Sequence, residues 1–243
     1  MRVLLISDIH ANPLALQAVL QDAGEVDETW CLGDLVGYGP LPNEALDLLQ
    51  QIPNLTCVSG NHDQALVSGG GLQNFNPEAQ TAITWQKSRL SPQNLSFLKN
   101  LPSSATPAPD CFITHASPED PSWGYILTEE AAERGLANVK ERFLIGGHTH
   151  YQAFFLQRPG QTAQWCRHVV GEAAPLHGRA VLNPGSVGQP RDRDPRAAYA
   201  IFDPINATFT PCRVQYSIRT VIQQIRECGA LPLKNADRLE FGQ

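Results

Sequence analysis

Seven side chains of metal-ligating type fall in five short clusters: Asp8 with His10, then Asp34, Asn61, His115, and His148 with His150. Each cluster follows an apolar run and lies beside Gly, Ser, Thr or Pro. Seven mixed nitrogen and oxygen donors exceed what one first-row ion takes. They suit two divalent ions that share a carboxylate. The imidazoles suit zinc, manganese, iron or nickel rather than magnesium or calcium alone, and manganese is the first expectation, with iron, zinc or nickel as alternatives.

Donors this scattered need strand ends to bring them together. RVLLI (residues 2–6) is a short apolar strand, and SDIH follows it. If the strand's alternation persists, Asp8 and His10, two residues apart, point the same way. TWCLGD, LTCVSGNHD, CFITHASP and RFLIGGHTH repeat the design, each with a turn residue before or beside the donor. In open α/β sheets ligands bind beyond the carboxyl ends of the strands, so five loaded strand ends mark one edge. Between them, Asn12-Pro13 opens a helix over residues 14–23, and Pro42 opens a second toward residue 51. The Gly69-Gly70-Gly71 joint begins a helical insert at about 69–105, with helices expected over 77–89 and 92–99. Residues 103–110 are a Pro- and Ala-rich connector. After His150 the pattern turns to two-residue alternation: QAFFLQ, QWCRHVV, RAVLN, AAYAIFD and TFTPCRVQY. A terminal helix covers 217–228. The order βαβαβ, helical insert, β-α-β and meander predicts a single domain over 1–243, with two sheets face to face and helices outside.

Composition sets bounds. The 243 residues, 42% hydrophobic, are enough for a substantial core. A net charge of −6 with no basic run argues against stable nucleic-acid binding through phosphate contacts, while leaving nucleotide-sized substrates open. No apolar stretch approaches the roughly 20 residues that span a bilayer, so no membrane association is expected. With a candidate ligand already at position 8, a removable leader is not expected. The six cysteines show no CxxC spacing, and Cys31, Cys57 and Cys111 read as small buried hydrophobes. A cytoplasmic location is the expectation. No seam or pattern specifies an oligomeric state.

DIH, GDLVG, GNHD, THASP and GHTH, in this order and spacing, resemble the calcineurin-like metallophosphoesterase superfamily. The segment NPGSVGQPRDRDPRAAYAIFD (183–203) looks like the ending of its small bacterial and archaeal members, phosphodiesterases among them. The resemblance implies an α/β fold, a four-layer αββα sandwich of two mixed sheets. It also implies that Asp8, His10 and His150 hold one ion, that Asn61, His115 and His148 hold the second, and that Asp34 bridges them. The implied reaction is hydrolysis of a phosphate ester by a metal-activated hydroxide attacking phosphorus. His62 is the implied catalytic residue that is not a ligand, stabilising the transition state or protonating the leaving group, with Asp63 as a candidate to orient it.

Other features admit two roles. Asp8 and Asp34 could also act as charges at helix N-termini. The Asn183–Ser186 turn could be only a tight turn, or could present N–H groups and Arg191 to a phosphate. Arg191, Arg193 and Arg196 alternate with Asp192 and Asp194, as in a solvated loop. His168 and His177, outside every motif, read as ordinary loop residues. Where serine/threonine phosphatases and symmetric dinucleoside tetraphosphatases carry an arginine after the second motif, this chain has Gly37 and Tyr38. A dianionic monoester loses a bidentate partner there, which favours singly charged phosphodiesters such as cyclic nucleotides or small nucleotide esters. The alternatives are a phosphomonoesterase acting on phosphoprotein or nucleotides and, in a different class, a binding scaffold on the same fold.

Overall fold

A computed structural model describes all 243 residues. Twelve strands form two six-stranded mixed sheets. The first runs, in spatial order, β3 (Leu55–Cys57), β2 (Glu28–Cys31), β1 (Val3–Ile6), β11 (Ala197–Asp203), β12 (Thr208–Val214) and β9 (Ala174–Pro175). The second runs β4 (Ser104–Ala108), β5 (Cys111–Thr114), β6 (Phe143–Ile145), β10 (Arg179–Pro184), β7 (Gln152–Gln157) and β8 (Ala163–Cys166). Strands β1, β2 and β3 are mutually parallel, as are β5, β6 and β10, so each sheet has three carboxyl ends on one edge.

Alternation along the strands sorts side chains into layers. Val3 and Leu5 face the second sheet with Trp30, Phe143, Phe202 and Phe209, while Leu4 and Ile6 face outward. Helices α1 (Pro13–Ala23), α2 (Pro42–Gln50), α3 (Asn61–Ser68), α4 (Pro77–Lys87) and α5 (Pro92–Lys99) build the outer layer there through Leu16, Leu46, Leu66, Ile83 and Leu98. On the other side, α6 (Glu129–Ala137) packs Ala132 and Leu136 on Leu144, Phe155 and Val181. Full burial of one such Leu, Ile or Phe contributes about 1.5–3 kcal/mol. The result is the expected four-layer sandwich.

Local chemistry sets the helix starts. The Asn12, Asn76 and Ser91 side chains accept from the N–H three residues on, and proline follows each. Four elements differ from the sequence expectation. The GNHD segment opens α3, because Asn61 and His62 occupy the first turn of that helix. The connector at 103–110 contains β4, an edge strand that accommodates Pro107 beside a bulge between Ala105 and Ala108. A second C-terminal helix, α8 (Leu233–Phe241), follows α7 (Ile218–Cys228) and packs Leu239 and Ala236 against Val221 and Ile225. The alternation in QWCRHVV yields a strand only to Cys166.

Candidate metal centre and its cleft

The carboxyl edges of the two sheets converge on one buried cluster. Asp8, His10, Asp34 and His150 place one ligand atom each within 4.8 Å of one another, and Asp34, His115 and His148 form a second such group. Asp34 belongs to both. Its Oδ2 lies 3.7 Å from His10 Nε2 and 3.4 Å from His115 Nε2. The amide oxygen of Asn61 joins the second group, 3.2 Å from His115 Nε2. All seven side chains nominated from the sequence therefore meet at one place.

The backbone there leaves the strand conformation. Asp8, His10, Asp34, His148 and His150 all have positive φ, between 48° and 65°. Asp8 and His10 thus face the cluster through left-handed turns, not through strand alternation. Such conformations cost on the order of 1–3 kcal/mol each and gather at functional sites. Neither aspartate caps a helix: Asn12 and Leu41 hold the cap positions of α1 and α2. Asp8 Oδ2 instead accepts the His148 N–H at 3.2 Å, tying the two sheets together. Asp34 Oδ1 accepts the His62 N–H at 3.0 Å. Glycine is required at two close approaches. A Cβ on Gly37 (φ +91°) would meet His62 Nδ1 at 2.1 Å, and one on Gly147 would meet Ser7 Oγ at 1.8 Å.

Hydrogen bonds set the tautomers. Nδ1 of His10, His115 and His150 donates to the carbonyls of Val36, Leu32 and Gln189. A carbonyl can only accept, so in each ring Nε2 is the free donor atom for a cation. Burial lowers His10 to about 4 and His148 to about 3, and takes His150 well below the ordinary range. Two neutral rings then set His10 Nε2 and His150 Nε2 3.1 Å apart, lone pair toward lone pair. That contact is repulsive unless a cation lies between them. His115 Nε2 is 3.1 Å from His148 Nδ1. Burial opposes protonation of His115, but the charges of Asp34 and Asp8 hold it up at about 9, a proton that a divalent ion would displace. Burial raises Asp8 to about 7, and its Oδ1 is buried with no hydrogen-bond partner. Burial pushes Asp34 upward too, yet the protonated His115 beside it, by charge and hydrogen bond, keeps it ionised, well below the usual range. The donor set, the facing lone pairs and the orphaned carboxylate oxygen all fit divalent metal.

His62 stands beside this cluster, its Nε2 3.8 Å from Asp34 Oδ2. Its ring is enclosed by those of His10, Tyr38 and Phe75 at 4.8–4.9 Å. Burial holds the imidazole neutral, and its Nδ1 has no partner. Asp63 does not orient it. Asp63 Oδ1 accepts from Leu35 and Val36, and Oδ2 from Gly60, so this carboxylate joins the Asp34 loop to the start of α3. Those three backbone donors outcompete an imidazole for its lone pairs.

A cleft of about 120 Å³ opens beside the cluster. Arg191 is the one cationic side chain lining it. Its neighbours are spoken for: Asp192 pairs with Arg213, and Asp194 with Arg196. Arg191 turns the other way, with its Nη2 donating to Gln189 Oε1 at 3.2 Å and to the Tyr38 hydroxyl at 3.4 Å. Its Nε is buried without a partner. The Asn183–Ser186 turn is structural. The N–H groups of Gly185, Val187, Gly188 and Gln189 bond within the fold, to Asn183 Oδ1, the Ser7 and Asp8 carbonyls, and Ser186 Oγ. The C-terminal helices brace the same loops, through Asn235 to the Tyr38 carbonyl and through the Gly242 carbonyl to the Arg193 N–H. His168 and His177 lie outside the cluster. Sequence reasoning missed the aromatic wall of Phe75, Trp123 and Tyr125, which sits in segments without periodicity. A larger groove of about 700 Å³ lies at the opposite end of β1 and β2, where no group of convergent ligand atoms occurs.

Residues 1–206 match the family model of the calcineurin-like phosphoesterase superfamily domain. A metallophosphoesterase from Sphaerobacter thermophilus is 39% identical, with a TM-score of 0.87 over 100% of both chains. The uncharacterized protein MJ0912 of Methanocaldococcus jannaschii is 32% identical over 99% of this chain and 98% of its own length. The hypothetical protein PH1004 of Pyrococcus horikoshii, at 20% identity, shares the fold with a TM-score of 0.80 over 100% of this chain and 98% of its own. The chain belongs to the calcineurin-like phosphoesterase superfamily.

Proposed function

We propose that the chain hydrolyses phosphodiesters, cyclic nucleotides or small nucleotide esters, at a centre of two divalent ions. The observation that carries this reading is the pair of buried ligand groups that share Asp34. Asp8, His10 and His150 would hold one ion and Asn61, His115 and His148 the other, with manganese first and iron, zinc or nickel as alternatives. A bound pair of this kind supplies an activated water and polarises the phosphoryl oxygens.

The chain's own groups do the rest. Arg191, the cation lining the cleft, offers its guanidinium to a phosphate oxygen, steadied by Gln189 and Tyr38. His62, neutral and buried, offers an N–H to the oxygen that gains charge. Phe75 and Tyr38 keep water off that imidazole. A single guanidinium matches the single charge of a diester. The tight arginine clamp suited to a dianion is absent at Gly37 and Tyr38.

The test compares kcat/KM for a generic phosphodiester and a generic phosphomonoester on manganese-loaded protein, with a chelated control. The diester is expected to be preferred, and chelation to abolish both activities. Preference for the monoester contradicts the diester assignment and makes Arg191 the clamp of a dianion.

A further inference from the structure

Six rings follow one another around the cleft. Tyr38 lies 4.9 Å from His62, His62 4.8 Å from Phe75, and Phe75 4.7 Å from Trp123. Trp123 lies 6.4 Å from His148, whose other neighbour is Tyr125. Most of these contacts are edge to face or tilted, the packing of a wall. The last is different. Tyr125 stacks on His148 at 4.4 Å and 12°, and it is 50% exposed. One face of the phenol ring covers the imidazole, and the other is turned to solvent at the rim of the cleft.

The size of the cleft gives that free face a purpose. About 120 Å³ is well short of the roughly 300–1,000 Å³ of sites that enclose a whole drug-sized ligand. The reacting phosphate can enter, beside Arg191, but most of the molecule that bears it must rest on the rim. The rim offers a flat aromatic face at Tyr125, the half-buried Trp123 and the exposed amide of Asn74, which carries both donors and an acceptor. A planar, polar-edged heterocycle matches that set better than an aliphatic alcohol does. Stacking on an aromatic side chain is available to every nucleobase, because each has a π face.

We propose that Tyr125, backed by His148 and flanked by Trp123, is a stacking subsite for a nucleobase, so that the preferred substrates are phosphate esters of nucleosides. This deepens the phosphoesterase reading and rests on it. Shielding of His148 alone would need only bulk at position 125, which leucine also supplies.

Adenosine 5′-monophosphate and ribose 5-phosphate share sugar and phosphate and differ in the base. Their dissociation constants on manganese-loaded protein are measured by calorimetry and by competition against turnover of bis(p-nitrophenyl) phosphate. The nucleotide is expected to bind about tenfold tighter or more. Tyr125→Leu should bring the two constants within about twofold, while Tyr125→Phe, which keeps the ring, should retain most of the preference. Equal affinities in the wild type, binding of neither probe, or a preference that survives in Tyr125→Leu overturns the proposal. The wild-type ratio decides the matter even where a variant does not fold. Failure of the phosphoesterase reading looks different: no ester turns over while the calorimetric base preference remains.

Discussion

At the scale of single residues, the centre turns on two neighbours in contact, Asp34 and His62. Asp34 is held ionised chiefly by His115 and reaches both ligand groups. His62 donates its backbone N–H to Asp34, and its ring lines the cleft with Nδ1 packed against Gly37. His62→Ala removes the ring and none of the candidate ligand atoms. It is expected to keep the bound metal, measured by elemental analysis, and to lose roughly 10²–10⁴-fold in kcat. Unchanged turnover in that variant removes His62 from the mechanism.

At the scale of elements, the helical insert does more than lie beside the site. Gln86 on α4 is fully buried, accepts from the Gly37 N–H at 2.6 Å and donates to the Gly39 carbonyl at 2.7 Å. It therefore clamps the loop that carries Tyr38 against His62. Gln86→Leu orphans both backbone groups at about 1–3 kcal/mol each, so the denaturation midpoint should fall and turnover with it. A variant as stable as the wild type would show that the loop holds itself. Much of this layer was legible in the sequence. Asn12-Pro13, Asn76-Pro77 and Ser91-Pro92 announce their helices, and the five donor clusters mark the strand ends. Helix α3 was hidden because its first turn is filled by the polar Asn61, His62 and Asp63. β4 was hidden by Pro107, and α8 by a mostly polar sequence whose packing face is met by α7 and, from across the fold, by Ala82 of α4. The direction of Arg191 was not legible either. Its alternation with Asp192 and Asp194 looks like solvent until Arg213, far along the chain, takes one of the two carboxylates.

At the scale of the molecule, the two sheets meet through the cluster. The first sheet's strand ends contribute Asp8, His10, Asp34 and Asn61, and the second sheet's contribute His115, His148 and His150. Ions bound there would fasten one half of the sandwich to the other, and would relieve the close approach of His10 and His150. An ion present at a hundredfold excess over its Kd stabilises the native state by about 2.7 kcal/mol, and a domain of this size shifts by about 2–4 °C per kcal/mol. Chelation should therefore lower Tm by roughly 5–10 °C in a thermal melt, and an unchanged Tm would mean that the cluster carries no metal when folded. The measurement that bears most directly on the central claim is the metal stoichiometry of the purified chain, taken by elemental analysis after dialysis against manganese and removal of the free ion. The expected result is two ions per chain, with Asp34→Asn losing at least one. One ion per chain, or none, would contradict a centre built from two ligand groups sharing Asp34.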